Sequence, residues 1–260
     1  MTARPGRGLV IAGGICAILW VVLSQGFYAI FPLAAGGTML PLPGGIDAET
    51  VRWAELGQRP AVVALEWIWI AVPLLLWPFL LAMQWLLRRH GQGDLALVAV
   101  GLGVLCILLT IVSDVTNMTP SHALAQAYVD AVSPAERAAT LNTLRGLFFW
   151  RWGLNRASGL LYQACVGLIG LGMVLGRVRR GWGWVGLIGA VLAVPAKFDI
   201  GLEVPTNAVW TGLAYAIWPV AVAICLLRWR DAAGEPGAGG ELASAPQAPS
   251  QKEQPGGCPR

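Results

Sequence analysis

Six apolar segments divide the charged residues of this chain into short groups. They cover residues 9–31, 61–87, 95–112, 154–175, 182–196 and 208–227. An α-helix needs about 20 predominantly apolar residues to cross the hydrocarbon core of a bilayer. Segment 182–196 is short for this and rich in glycine, whereas the others approach or exceed that length. The pattern predicts an all-α, polytopic integral membrane protein: a bundle of six transmembrane helices within residues 1–230.

The low charge content agrees with a lipid environment. Only 12% of the 260 residues are charged and 56% are hydrophobic, whereas soluble proteins carry about 25% charged residues. The formal net charge of +4 comes from bases clustered beside apolar segments, which is typical of membrane orientation. We therefore expect membrane lipids as partners and no binding to nucleic acid.

Four arginine clusters predict the orientation. They are Arg4 with Arg7, Arg88 with Arg89, Arg177 with Arg179 and Arg180, and Arg228 with Arg230. Six crossings place all four on one side, and basic residues that flank membrane helices mark the cytoplasmic side. The pattern therefore predicts a multi-pass protein of a bacterial inner (cell) membrane, with both termini in the cytoplasm.

The two ends of the chain differ in character. Segment 9–31 is longer than the apolar core of a signal peptide, so we expect it to be a retained membrane span. Residues 231–260 are rich in Gly, Pro, Ala and Ser and contain no apolar run. Such a composition cannot bury enough apolar surface to fold, which predicts a disordered cytoplasmic tail.

Short helices are predicted in the connections on the outer side. Residues 47–56 can form a surface helix, and Pro120 suggests a helix start at residues 119–121. Ser133 and Glu136 form a capping-box pattern with Pro134 at the first helical position. Apolar residues then recur at helical spacing. This predicts an outer amphipathic helix, which lies at the interface or continues directly into the fourth span.

The sequence LLTIVSDVTNMTPSH marks the expected exit of the third span. Ser113, Asp114, Thr116 and Asn117 follow the apolar run directly and can cap backbone groups freed at a helix end. A carboxylate at a helix C-terminus is disfavoured by the helix dipole. We therefore expect Asp114 to have a cationic partner on the fourth span, either Arg151 or Arg156.

Glu66 is an ionisable residue inside the second span, where such groups are costly and often functional. Ideal helical spacing places Glu66, Pro73 and Trp77 on one stripe with Trp69 beside it. Pro73 and Pro78 are expected to bend this helix. Glu66 therefore either lines a cavity or is hydrated near the headgroups or paired with an arginine.

The fourth span begins with polar residues at a similar depth. Arg151 and Asn155 are spaced as neighbours on one helix face, and Arg156 follows. An arginine here can pair with Glu66 or Asp114, hold an anionic group, or extend to the interface. Together these residues predict an outward-facing polar vestibule, with candidate ligand-binding residues Glu66, Trp69, Trp77, Asp114, Arg151, Asn155 and Arg156.

Signatures of catalysis and of metal binding are missing from the sequence. There is no HExxH, no P-loop and no GxSxG pattern. Two histidines and five scattered cysteines provide neither a metal-ligand cluster nor a disulfide framework. We therefore assign no catalytic residue, no metal and no cofactor, and an enzymatic activity is the less favoured interpretation.

Glycines recur near the end of the fourth span and in the fifth. Gly172 and Gly176 form a GxxxG pair, and Gly181, Gly183, Gly186 and Gly189 follow. Small residues at this spacing let helices approach closely. We expect the fourth and fifth spans to pack together within one chain.

Two segments, together with the six-span pattern, resemble a known type of protein. They are HALAQAYVDAVSPAERAATL before the fourth span, and GWGWVGLIGAVLAV followed by a last span ending in LLRWR. The chain resembles uncharacterised bacterial six-span membrane proteins known only as a domain of unknown function. The resemblance covers about residues 9–230 and implies the membrane fold. It implies no activity, ligand or functional residue.

Three hypotheses about function follow. The first is that the vestibule binds a small amphiphile or lipid, or helps to translocate it. The second is a membrane scaffold or regulatory partner that recruits another protein through its tail or outer helix. The third is an intramembrane enzyme that uses Glu66 or Asp114 as a general acid or base.

Overall fold

The chain is helical throughout the part that the computed structural model describes, which comprises residues 6–34, 45–195 and 212–228. The helices are α1 (Arg7–Ala34), α2 (Gly45–Gly57), α3 (Pro60–Ala71), α4 (Leu76–Arg89), α5 (Gly93–Asp130), α6 (Pro134–Leu175), α7 (Arg180–Ala193) and α8 (Trp218–Leu227). A 3-10 turn, Val72–Leu75, joins α3 to α4, and a π-helical turn, Leu213–Ile217, precedes α8. The all-α class is confirmed for these residues. The predicted tail, 231–260, lies outside them.

Within the residues that the structure describes, four helical segments are long and apolar enough to cross a membrane. They are Arg7–Phe27, Pro60–Arg89, Gly93–Asp130 and Pro134–Leu175. They correspond to the first four predicted spans. Helix α7 has 14 residues and is about 21 Å long, which is shorter than the roughly 30 Å hydrocarbon core. The sixth predicted span starts at residue 208, outside the described residues, and its described helix α8 is also short.

The second span is interrupted at Pro73. A 3-10 turn advances about 120° per residue instead of about 100°, so four such residues rotate the following helix by roughly 80°. As a result Glu66 and Pro73 are buried, whereas Trp77 is 45% exposed. The prediction that these three residues share a stripe is therefore wrong. Pro78 lies in the first turn of α4, where a missing amide hydrogen is tolerated.

Helix α5 does not end where its apolar run ends. It continues through Asp114 and Pro120 to Asp130, over 38 residues, which corresponds to about 57 Å. The predicted helix exit at Val112 and the predicted start near Pro120 are therefore both wrong. Continued helix keeps the backbone of the polar stretch hydrogen-bonded, and α2 packs against this second half of α5.

Helix α6 begins at the predicted capping box. The Ser133 side chain accepts a hydrogen bond from the Glu136 amide, and the Glu136 carboxylate accepts one from the Ser133 amide. From Pro134 the helix runs without a break for 42 residues, so residues 134–153 and the predicted fourth span, 154–175, form one helix. The predicted surface helix at 47–56 is also present, as part of α2.

Two of the predicted arginine clusters lie at the α4–α5 turn and the α6–α7 turn, and these two turns lie at the same end of the bundle. Helices α5 and α6 are antiparallel, so the start of α5 lies beside the end of α6. A β-carbon added to Gly176 would lie 3.2 Å from side-chain atoms of both His90 and Gln92. The turn that follows Arg88 and Arg89 therefore adjoins the turn that contains Arg177 and Arg179.

Glycines allow α6 and α7 to pack closely, as their spacing predicted. A β-carbon on Gly170 would lie 2.7 Å from the carbonyl oxygen of Gly183 and 2.8 Å from the amide nitrogen of Leu187. Gly186 leaves room for the indole of the fully buried Trp218. The fourth and fifth predicted spans thus pack within one chain.

Candidate functional site

Small polar side chains connect the middle of α5 to α6. The hydroxyl groups of Thr110 and Ser158 lie 2.6 Å apart, and the Cys106 sulfur lies 3.6 Å from Ser158 Oγ. Since Thr110 donates to the Cys106 carbonyl oxygen at 2.9 Å, it can accept the proton of Ser158. One turn further along α5, Ser113 donates to Asn155 Oδ1 at 3.4 Å.

The hydroxyl groups of Ser113 and Thr116 do not cap a helix end, contrary to the sequence prediction. Thr116 donates to the Val112 carbonyl oxygen at 2.6 Å, one turn back in the same helix. Ser113 points to α6, where the carbonyl oxygen of Arg151 is a further acceptor at 3.4 Å. Both side chains thus lie within a continuous helix. The side chain of Asn117 is outside the described part.

Asp114 is buried beside Arg151, one of its two predicted partners. Nη2 of Arg151 lies 3.9 Å from Asp114 Oδ1, and Asp114 is 2% exposed. The side chain of Trp69 donates a hydrogen bond to the same carboxylate. The prediction of a cationic partner is confirmed, but its stated reason is wrong. Asp114 lies inside a helix, and its burial is what makes a partner necessary.

These residues line a cavity of about 390 Å³. Its charged and polar lining comes mainly from α5 and α6, and includes Thr110, Asp114, Arg151, Asn155 and Ser158. The α1 helix adds Trp20, Ser24 and Gln25, and the second span adds Trp69, Val72, Pro73 and Leu76. The cavity therefore has one wall rich in hydrogen-bonding groups and another that is mostly apolar or aromatic.

Three aromatic rings form a cluster in the cavity wall. The rings of Tyr162 and Tyr215 are stacked with centroids 4.3 Å apart, and Trp20 lies 5.8 Å from Tyr162 and 6.4 Å from Tyr215. Tyr215 belongs to the π-helical turn before α8. Such turns often occur at functional sites. We call Trp20, Tyr162 and Tyr215 the aromatic cluster.

Glu66 is buried outside this cavity and is paired with His122. The His122 Nε2 atom lies 3.0 Å and 2.9 Å from the two carboxylate oxygens, and its Nδ1 atom lies 2.9 Å from the Trp53 carbonyl oxygen. Glu66 is 3% exposed. Its ionic partner is therefore a histidine and not the predicted arginine, and the predicted position of Glu66 in the cavity wall is wrong.

The contacts of His122 define the charge of this pair. A carbonyl oxygen can only accept, so Nδ1 must carry a proton. Nε2 faces both carboxylate oxygens, so another proton must lie between the ring and Glu66. The pair therefore holds two protons and has no net charge, which suits its burial. Trp53, Glu66 and His122 connect α2, α3 and α5.

The seven candidate residues separate into two groups. Four of them line the cavity, namely Trp69, Asp114, Arg151 and Asn155. The other three lie elsewhere: Glu66 contacts His122, Trp77 is exposed, and Arg156 lies over the Trp152 ring, 3.2 Å from its centroid. Within the described ranges, no group of three or more His, Cys, Asp or Glu side chains could hold a metal ion.

Several cavity residues were missed, although the sequence contains a signal for some of them. The missed residues Cys106 and Thr110 lie at spacings of four residues before the predicted Asp114 on α5, and the missed Ser158 and Tyr162 lie three and seven residues after the predicted Asn155 on α6. This is the spacing of one helix face. Trp20 and Tyr215 come from distant parts of the chain, and His122 is 56 residues from Glu66. No local pattern could have linked these residues.

Comparison with known proteins gives no relative from which a role could be transferred. No family model, no curated protein and no solved structure matches the chain. The resemblance to six-span proteins of unknown function stays a prediction. The candidate site therefore rests on its own geometry, a cavity between membrane-length helices with an ion pair and an aromatic cluster in its walls.

Proposed function

We propose that this protein is a six-crossing membrane protein of a bacterial cell membrane that binds a small amphiphile in the cavity. The observation that supports this most directly is the two-sided lining. Asp114, Arg151 and Asn155 provide charge and hydrogen bonds, and the aromatic cluster provides apolar surface. A molecule with a polar and an apolar end matches both.

The size and position of the cavity favour the same function. Small-molecule sites usually have volumes of about 300–1,000 Å³ and are lined by apolar groups with a few polar ones, and this cavity has about 390 Å³. Asp114 and Arg151 lie where the apolar run of α5 gives way to polar sequence. A ligand can therefore keep its polar end at the level of the headgroups and its apolar end in the hydrocarbon.

We further propose that the cavity faces outward and that both termini are cytoplasmic. The supporting observation is the adjacency of the turn after Arg89 to the turn that contains Arg177. These arginines are exposed, and such clusters mark the cytoplasmic side. Reporter fusions at the two turns should give the same cytoplasmic signal, and opposite signals would contradict the six-crossing topology.

Retention of a co-purifying molecule tests the binding function. The full chain, purified in mild detergent, should carry an amphiphile that native mass spectrometry detects. Asn155→Phe places a ring in the cavity and should lower the retained fraction at least about tenfold. Asn142→Phe, at an exposed position earlier on α6, is the matched control and should leave retention unchanged. Equal retention by both variants would contradict binding in this cavity.

A further inference from the structure

The cavity contains an ion pair whose two members do not satisfy each other. Among the described lining residues, Asp114 and Arg151 are the charged ones. Their closest atoms are 3.9 Å apart, which is longer than a hydrogen bond between nitrogen and oxygen. The contact is therefore electrostatic and not a hydrogen bond, so it occupies no donor of Arg151 and no acceptor site of Asp114.

Each member can accept a further partner. A guanidinium has five N–H donors in a planar fork that matches phosphate and carboxylate. The Arg151 Nε atom is buried and has no hydrogen-bond partner among the described residues. The Asp114 carboxylate accepts from Trp69, and a carboxylate offers about four acceptor sites. In a bidentate arginine–carboxylate pair, two parallel N–H···O hydrogen bonds would occupy donors of the guanidinium and acceptor sites of the carboxylate.

The charge balance restricts which ligand can use these groups. An anion that binds Arg151 alone would draw the guanidinium from Asp114, whose burial makes loss of its partner costly. A cation at Asp114 alone would leave Arg151 without its partner. A ligand that brings both charges satisfies both groups and keeps the cavity neutral.

We propose, on the basis of the amphiphile-binding function above, that the ligand is zwitterionic. Its ammonium group binds the carboxylate of Asp114, and its phosphate or carboxylate binds the guanidinium of Arg151. Its apolar part rests against Trp20 and Tyr162. A headgroup of an amino-containing phospholipid and a free zwitterion share this chemistry, and the experiment below distinguishes them.

Calorimetric titration of the full chain in dodecyl maltoside tests the proposal with short-chain probes and one probe without a chain. The probes are dihexanoyl phosphatidylethanolamine, dihexanoyl phosphatidylglycerol as the anion, hexyltrimethylammonium as the cation, and free phosphoethanolamine. The zwitterionic lipid should bind at least about tenfold more tightly than the anion or the cation. Weaker affinity of free phosphoethanolamine supports a lipid headgroup whose apolar part contributes to binding. Equal affinity would show that the apolar part contributes nothing, which would overturn the amphiphilic form of the proposal.

Two substitutions should change the preference in opposite directions. Asp114→Asn leaves Arg151 as the charged group and should make the anionic lipid the preferred probe. Arg151→Gln should make hexyltrimethylammonium preferred. The matched controls are Asp130→Asn, in an exposed part of α5, and Arg156→Gln, which lies outside the cavity, and both should keep the wild-type ranking. Should either cavity variant fail to fold, the ranking of probes by the wild-type chain decides alone.

The outcomes separate the ligand class from the binding function. If the wild-type chain binds the three lipid-like probes with equal affinity, the zwitterion proposal is overturned and cavity binding stands. If no probe binds and no amphiphile co-purifies, both proposals are overturned. A preference for the anion by the wild-type chain would also overturn the zwitterion proposal, because it would mean that Asp114 needs no cationic partner.

Discussion

His122 Nε2 lies 2.9 Å from Oε2 of Glu66, and these two residues are 56 positions apart in the sequence. The second ring nitrogen of His122 bonds to the backbone of Trp53. One imidazole thus joins α3 and α5 through side chains and fixes α2 through a main-chain carbonyl. The same two helices, α3 and α5, also carry the cavity residues Trp69 and Asp114, so this contact joins helices that form part of the cavity wall.

Loss of the Glu66 carboxylate should destabilise the protein through His122. Glu66→Ala leaves a largely covered ring nitrogen of His122 without its partner, and we expect a loss of about 1–3 kcal/mol in the free energy of unfolding. Glu66→Gln keeps a group that can donate to Nε2 and should cost less. The measurement is denaturant unfolding in mixed micelles, with a double-mutant cycle to His122→Ala. Strict additivity in that cycle would show that the pair is not coupled.

Gly57 should be required for the approach of α2 to His122. A β-carbon on Gly57 would lie 2.7 Å from the Cβ and Cγ atoms of His122. Gly57→Ala should therefore cost about 1–3 kcal/mol through overpacking. In Gly153→Ala the added methyl meets nothing within 4 Å, and this control should be neutral or stabilise α6 by up to about 1 kcal/mol. Similar thermal stability of both variants would contradict the close approach.

The hydroxyl pair between α5 and α6 should stabilise the protein modestly. Thr110→Val removes the 2.6 Å contact with Ser158 while keeping the side-chain shape. We expect a loss of about 0.6 kcal/mol, the average for hydrogen bonds between membrane helices, and at most about 1.7 kcal/mol. Thr143 on α6 is exposed and donates to the Ala139 carbonyl oxygen in its own helix, so Thr143→Val should change stability little. An equal effect of the two substitutions would indicate that the interhelical contact contributes nothing.

The contact between α6 and α7 should tolerate an added methyl group at Gly167 but not at Gly170, one turn further along α6. Gly170→Ala would place its β-carbon against backbone atoms of Gly183 and Leu187, which cannot move without separating the helices. We expect a loss of about 1–3 kcal/mol. At Gly167 the nearest atom would be the Ala190 β-carbon at 3.5 Å, an ordinary contact, so Gly167→Ala should be tolerated. A greater loss of unfolding free energy for Gly167→Ala would contradict this packing.

Local sequence signals predicted the local parts of the fold. The capping box at Ser133 and Glu136 defined the start of α6, because its hydrogen bonds join residues three apart. The glycine spacing indicated that α6 and α7 pack together. Where a signal depended on ideal geometry it failed, as at Trp77, because the 3-10 turn at Pro73 rotates the helix that follows.

The amino-acid sequence by itself predicted an all-α chain, and its apolar segments include the four that are long and apolar enough to cross a bilayer in the described part of the structure, because apolar length and period are properties of neighbouring residues. It also indicated Arg151 or Arg156 as a partner of Asp114, although the burial that makes a partner necessary follows only from the tertiary structure. Tertiary structure alone decided that α5 continues past Asp114, that His122 reaches Glu66, and that Tyr215 joins Tyr162. The hydropathy of a sequence changes where the chain passes from lipid to water. A helix, in contrast, ends where its backbone groups no longer find hydrogen-bond partners within it. Contacts between distant residues follow from how the helices pack, and no local pattern encodes that packing.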